Sequence, residues 1–70
     1  MRYTVILEKG HDSWGAYVPD LPGCAVLAET ERQASQLIRD AIQLYLEDLR
    51  TKNLPVPQPT SKATEVEISV

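Results

Sequence analysis

The acidic side chains of this sequence are the first candidates for catalysis, because several carboxylates placed around a sheet can hold the two metal ions of a nuclease. Six acids are candidates: Glu8, Asp12, Asp20, Glu29, Asp40 and Glu47. Their spacing forms no recognisable ligand set, and Asp40 and Glu47 fall on the polar side of a predicted helix. We therefore interpret them mainly as solvated charges and predict no metal site and no cofactor.

The two other reactive side chains, His11 and Cys24, are isolated in the sequence. His11 lies beside Asp12 in a predicted turn, and no nucleophile is placed where it could be activated. Cys24 has no neighbouring cation, so we predict a buried, unreactive thiol. One cysteine excludes an internal disulfide, and one cysteine with one histidine is too few for a zinc site. These observations predict a protein that is not an enzyme.

Residues 18–24 form the loop around which the remaining elements are arranged. Pro19 and Pro22 fix φ and remove two backbone donors, while Gly23 permits a positive φ. We expect Asp20 to cap this turn through nearby backbone amides. The loop either connects two strands or presents Asp20 and Leu21 to a partner, and the sequence leaves both interpretations open.

Strand patterns flank the loop. Residues 2–9 alternate, with Tyr3, Val5 and Leu7 on one side, and residues 14–18 resume an extended pattern after a polar turn. Residues 24–29 are short and apolar, as is typical of a third strand. The sequence therefore predicts a three-stranded antiparallel meander.

A long helix is predicted from Glu31 to about Arg50. Thr30 and Gln33 have the spacing of a capping box, and neither glycine nor proline interrupts the following residues. Apolar residues recur at helical spacing. Ile42 and Leu46 widen the apolar stripe to about half of the circumference, more than one sheet requires. These outer positions either contact a partner, for which we name them as candidates, or are covered by the sheet and the C-terminal tail.

The C-terminal part is predicted to be an extended arm followed by a strand. Three prolines within residues 54–59 favour a polyproline-like connector, and residues 65–70 alternate between apolar and polar side chains. The predicted order is βββαβ in a single domain of residues 1–70. The fold class is α+β: a three-stranded antiparallel meander packed on one long helix, plus a C-terminal edge strand that pairs within the chain or with a neighbour.

Bulk properties narrow the possible partners. A chain of 70 residues makes a small core, and such domains often gain stability by oligomerisation. The net charge of −3 argues against direct binding to nucleic acid. The sequence has neither an apolar run of about 20 residues nor the pattern of a signal peptide, so we expect a cytoplasmic protein without membrane contact.

The loop and the helix start together resemble the HicB-like antitoxin family. The matching features are Gly15, Tyr17, the run from Pro19 to Cys24, the pair Glu29-Thr30, Ala34, and Pro55 with Pro57. Ala28 replaces the glycine that family members usually carry before the acidic-Thr pair. Many relatives continue into a helix-turn-helix or ribbon-helix-helix segment, whereas this sequence ends at Val70, so the resemblance does not extend to DNA binding.

The resemblance implies an antitoxin with a partial RNase H-like fold that binds a small basic HicA-type ribonuclease, covers its catalytic histidine and blocks mRNA cleavage. We expect a homodimer or tetramer that contacts its partner through five candidate residues: Trp14, Asp20, Leu21, Ile42 and Leu46. Two alternatives stay open. One is a residual metal-dependent nuclease, and the other is an orphan relative without a toxin.

Overall fold

Three short strands form an antiparallel sheet in chain order, and one helix covers one of its faces. The computed structural model describes residues 1–69. The strands are β1 (Ile6–Lys9), β2 (Trp14–Tyr17) and β3 (Ala25–Ala28), and the helix α1 spans Glu31–Thr51. The predicted meander and helix are confirmed, with strands shorter than the sequence pattern suggested. Among the described residues no helix is long and apolar enough to cross a membrane.

The register of the sheet separates a face that packs on the helix from an outer face. Leu7 pairs with Ala16, which pairs with Val26, and Ala16 is buried against the helix. Residues paired across strands share a face, so Leu7 and Val26 also face α1. The next pairs in the register, including Tyr17 and Leu27, therefore lie on the face without a helix.

Two tight turns build the loop between β2 and β3. The Leu21 amide donates to the Val18 carbonyl at 3.1 Å, and the Cys24 amide donates to the Leu21 carbonyl at 3.0 Å. The second turn has Pro22 followed by Gly23 at φ 81°, which is the backbone of a type II turn. The loop thereby directs Leu21 inward, where it is the one large side chain among the described residues that is fully buried.

Helix α1 begins at the predicted capping box, which is confirmed. The Gln33 amide donates to Thr30 Oγ1 at 3.1 Å, and Gln33 Oε1 accepts from the Thr30 amide at 3.2 Å. Ala34 and Ile38 are buried against the sheet and the loop. Ile42 and Leu46, which we predicted as outer positions, pack partly buried against this core instead. The exposed large apolar residues of α1 are Leu37 and Leu44. They lie on the edge of the apolar stripe opposite to Ile42 and Leu46, and α1 is oriented so that this edge faces solvent.

A Schellman motif ends α1 and starts the C-terminal arm. The Leu54 amide donates to the Leu49 carbonyl at 2.9 Å, the Asn53 amide donates to the Arg50 carbonyl at 3.1 Å, and Asn53 is left-handed at φ 56°. The helix thus stops before Pro55, as predicted. The predicted terminal strand, by contrast, does not form in the single chain: residues 65–69 have no regular structure, and Val70 lies outside the described residues. A strand needs a neighbouring strand for its backbone hydrogen bonds, and within residues 1–69 the segment 65–69 pairs with none of the three strands.

Candidate protein-binding surfaces

Asp20 fastens the C-terminal arm to the loop. Its carboxylate accepts four hydrogen bonds, from the backbone amides of Thr60 and Ser61, both at 3.0 Å, and from their hydroxyls at 3.1 and 2.8 Å. These hydrogen bonds lower the pKa of Asp20, and the bond from the Ser61 amide has the largest effect. Partial loss of solvent acts in the opposite direction and raises the pKa, but the hydrogen bonds from Ser61 and Thr60 together outweigh it. Asp20 therefore caps a segment 40 residues away, and not its own turn as we predicted.

Three further side chains hold the loop and the arm in place. Tyr3 Oη donates to the Pro57 carbonyl at 2.6 Å, and Thr4 Oγ1 donates to the Ser61 carbonyl at 2.8 Å. From the helix, Tyr45 Oη donates to the Pro22 carbonyl at 2.9 Å. We call the contacts of Tyr3, Thr4 and Asp20 with residues 57–61 the arm latch. The latch thus joins the N-terminal residues and the central loop to the C-terminal arm.

The outer face of the sheet is an uncovered apolar surface. Tyr17 is 40 % exposed and Leu27 is 75 % exposed, and Gly15, which lies between Glu8 and Leu27 in the register, adds no side chain. The sequence analysis missed Leu27 because the whole run of residues 24–28 is apolar. The signal that could have found it is the alternation of side chains along a strand, which places Leu27 on the opposite face of the sheet from Val26. An exposed leucine near a tyrosine on an uncovered sheet face is suited to contact with another protein.

A second apolar surface is the groove between β1 and α1. The groove has a volume of about 480 Å³, and its apolar lining consists of Met1, Tyr3, Val5, Leu7, Ile38 and Ile42. Arg2 and Arg39 also line it, and no acidic residue does. The groove exists because α1 packs mainly over β2 and β3, which leaves the edge strand β1 less covered. We call this surface the β1 groove.

The structure does not assemble the candidate catalytic side chains. Among residues 1–69, no three histidine, cysteine, aspartate or glutamate side chains come together where they could hold a metal ion. His11 is 98 % exposed and its Nε2 lies 3.9 Å from Asp12. Cys24 is buried, as expected, and burial raises the pKa of its thiol. These positions fit structural and surface roles.

The five predicted contact residues have different environments. Leu21 is fully buried in the core, and Asp20 is engaged in the arm latch. Trp14, Ile42 and Leu46 are partly buried against the core. Thr60 and Ser61, the partners of Asp20, were missed because no local pattern connects residues so far apart in sequence.

A comparison with known proteins gives this architecture a family. A family model described as "HicB_like antitoxin of bacterial toxin-antitoxin system" matches residues 3–68. The match includes the strands, the loop, the helix and the arm. The chain belongs to the HicB-like antitoxin family.

Relatives of similar size support this membership. A UPF0150 protein of Thermoplasma acidophilum is 36 % identical over 67 residues, covering 94 % of this chain and 97 % of the relative. A UPF0150 protein of Synechocystis is 44 % identical over 58 residues, covering 81 % of this chain and 73 % of the relative. A UPF0150 protein of Helicobacter pylori is 35 % identical over 54 residues, covering 77 % of this chain and 75 % of the relative. No solved structure gave a significant match.

Proposed function

We propose that this protein is an antitoxin that neutralises a small basic HicA-type toxin by covering the active site with which the toxin cleaves mRNA. The observation that carries the proposal is membership of the HicB-like antitoxin family over residues 3–68. The net charge of −3 supports it, because an acidic protein is steered toward a basic RNA-cleaving partner. The protein acts in the cytoplasm, as a homodimer or tetramer, and has no enzymatic activity of its own.

The toxin contacts the outer face of the sheet. This face combines the exposed side chains of Tyr17 and Leu27 with the carboxylate of Glu8, which offers an apolar centre with a negative charge beside it. Binding hot spots are commonly aromatic side chains such as Tyr17 that lose their water on association, and an exposed apolar neighbour such as Leu27 enlarges the area that is buried. Trp14 and Leu46 remain candidates for additional contacts at the margin of the fold.

Co-expression tests the function. The reading frame adjacent to this gene is expressed alone and together with this protein. A basic neighbour of comparable size is expected to arrest growth alone, and this chain is expected to restore growth and to co-purify with it. Persistent toxicity without co-purification contradicts the proposal.

A matched pair of variants tests the surface. Leu27→Asp and Leu44→Asp place the same charge at leucines that are 75 % and 67 % exposed, on the outer sheet face and on the helix respectively. In an RNA-cleavage assay with the purified toxin, Leu27→Asp is expected to raise the concentration needed for half inhibition at least tenfold, and Leu44→Asp to leave it unchanged. Equal inhibition by both variants rejects the outer face as the contact surface, even where the co-expression result supports an antitoxin.

A further inference from the structure

The central strand of the sheet contains a glycine, Gly15, that the fold of its own chain does not require. A glycine inside a strand costs backbone entropy and packs no side chain. Its φ is not positive, since the positive-φ glycine of the described residues is Gly23. A Cβ at Gly15 would lie 3.5 Å from Leu27 Cδ2, and the next nearest atoms are two carbonyl oxygens at 3.8 and 4.0 Å. These are ordinary contacts, so packing within the chain does not explain the glycine.

The missing side chain leaves a notch in the outer face of the sheet, with a volume of about 600 Å³. In the register, Gly15 lies between Glu8 on β1 and Leu27 on β3. Tyr17 follows two residues later and therefore lies on the same face. The side chains of Glu8, Tyr17 and Leu27 are all exposed and line the notch. We call this site the Gly15 notch, and it combines an apolar wall, an aromatic wall and a carboxylate.

Acidic groups predominate around the Gly15 notch. Leu27 also lines a neighbouring depression of about 500 Å³, to which Glu29 and Asp40 contribute, and among residues 1–69 no basic side chain lines it. Lys9 lines the notch as well, but it follows Glu8 in β1 and so starts from the opposite face of the sheet. The β1 groove, by contrast, is lined by two arginines and, within the same residues, by no acid. A cationic group is therefore favoured at the notch and disfavoured at the groove.

We propose that the Gly15 notch receives an arginine side chain of the protein partner. The guanidinium pairs with the Glu8 carboxylate and stacks on the Tyr17 ring, while the aliphatic stem lies against Leu27. A planar guanidinium pairs with a carboxylate through two parallel hydrogen bonds and stacks on an aromatic ring, whereas a lysine ammonium acts as a point charge. The arginine stem covers apolar surface at the same time. The inference rests on the proposed function, because the basic toxin supplies the arginine, and it makes Gly15 the residue that decides whether the contact can form.

Filling the notch separates recognition from folding. Gly15→Thr places a β-branched side chain in the notch, and such a residue suits a strand better than glycine does. In the RNA-cleavage assay with the purified toxin, the concentration needed for half inhibition is expected to rise at least about tenfold, because the filled notch excludes the arginine. The Tm of the variant should equal or exceed that of the wild type. A lowered Tm would mean that the glycine serves the fold, and unchanged inhibition would mean that nothing enters the notch; either result overturns the proposal.

A matched pair of variants tests the charge of the occupant. Glu8→Gln and Glu47→Gln each remove one exposed carboxylate, the first at the Gly15 notch and the second on α1. Glu8→Gln is expected to raise the concentration for half inhibition about tenfold, because the charge-assisted bond to the guanidinium is lost. Glu47→Gln is expected to leave it unchanged. Equal effects of the two variants would reflect general charge attraction alone and would contradict an arginine in the notch.

A small-molecule titration tests the notch without a toxin. The isotope-labelled full chain is titrated with acetyl-arginine amide and, separately, with acetyl-citrulline amide, which has nearly the same shape without the charge. NMR is expected to show saturable shifts of the Gly15 and Leu27 amides with the arginine compound only, and no such shift at Leu27 in the Gly15→Thr variant. Equal shifts with both compounds, or none with either, overturn the proposal. A harmless product of the adjacent gene would reject the proposed function instead, and this titration would still decide the occupant of the notch.

Discussion

Single residues at the loop determine how the arm is held. Asp20 is the strongest example, because its two carboxylate oxygens together accept four hydrogen bonds from Thr60 and Ser61, whereas Thr4 contributes one bond to the Ser61 carbonyl. Leu21, the next residue, is directed into the core. Adjacent residues of one rigid loop therefore have two different tasks, one in holding the arm and one in packing.

Replacing Asp20→Asn is expected to loosen the arm without unfolding the sheet. Asparagine keeps one acceptor oxygen and loses the charge, so the bonds to the Thr60 and Ser61 amides weaken. Amide hydrogen exchange measured by NMR should become faster at Thr60 and Ser61 while the amides of α1 keep their wild-type rates. Asp12→Asn is the control, since the Asp12 side chain is 91 % exposed. Unchanged exchange at both arm amides would show that Asp20 does not hold the arm.

The same carboxylate makes the arm latch sensitive to acid. The hydrogen bonds lower the pKa of Asp20 in the folded chain below its ordinary value of 3.8. A group with a depressed folded pKa stabilises the fold fully above the unfolded pKa, and this contribution is lost as the pH falls through the folded pKa. The proton shifts of the Thr60 and Ser61 amides should therefore titrate together with a midpoint below 3.8. A midpoint at or above that value would contradict the assigned contacts.

Shortening Leu21 is expected to destabilise the domain strongly. Leu21→Ala removes a fully buried side chain, and such changes cost about 2–5 kcal/mol in the free energy of unfolding. In a small domain this is a large part of the total stability. Urea unfolding followed by tryptophan fluorescence measures the change. Leu44→Ala, at a leucine that is 67 % exposed, should alter the free energy by less than about 0.5 kcal/mol.

The elements themselves show how far local sequence rules reach. Three features were predictable from sequence: the capping box at Thr30 and Gln33, the uninterrupted helix, and the alternation around β1. Each depends on residues that are only a few positions apart in sequence. The partners of Asp20 were not, since they lie 40 residues away. The flank of α1 that faces solvent depends on where the helix crosses the sheet, and helical spacing alone does not contain that information.

The end of α1 provides a test at the level of one element. Asn53 is left-handed in the Schellman motif, a conformation in which glycine lacks the steric penalty of a side chain. Asn53→Gly should leave stability unchanged or raise it by a few tenths of a kcal/mol, and Asn53→Ala should lower it by about 1 kcal/mol. Urea unfolding of both variants measures the difference. An alanine variant as stable as the glycine variant would exclude a left-handed residue at this position.

At the scale of the whole molecule, the part of the chain that the structure describes forms two apolar surfaces on different sides of the sheet. The outer sheet face has Tyr17 and Leu27, and the β1 groove lies between the sheet and α1. A small domain with a core of only a few fully buried side chains is expected to gain stability when such surfaces are covered. The homodimer or tetramer of the proposed function would cover one of these surfaces and leave the other for the toxin.

Thermal unfolding should reveal this dependence on assembly. If folding is coupled to the proposed homo-oligomerisation, the Tm of the protein rises with protein concentration, because mass action favours the assembled state. Circular dichroism at concentrations differing by about a hundredfold measures this dependence. A Tm that is the same at both concentrations would contradict the coupling.

The arm latch also limits how far the C-terminal segment can reach. Residues 62–69 follow the latch, and such a segment spans at most about 28 Å when fully extended. Opening the latch would free the chain from Pro55 onward and extend this reach to about 50 Å. Asp20 is distant in sequence from these residues, yet its hydrogen bonds set the radius within which they can meet another molecule.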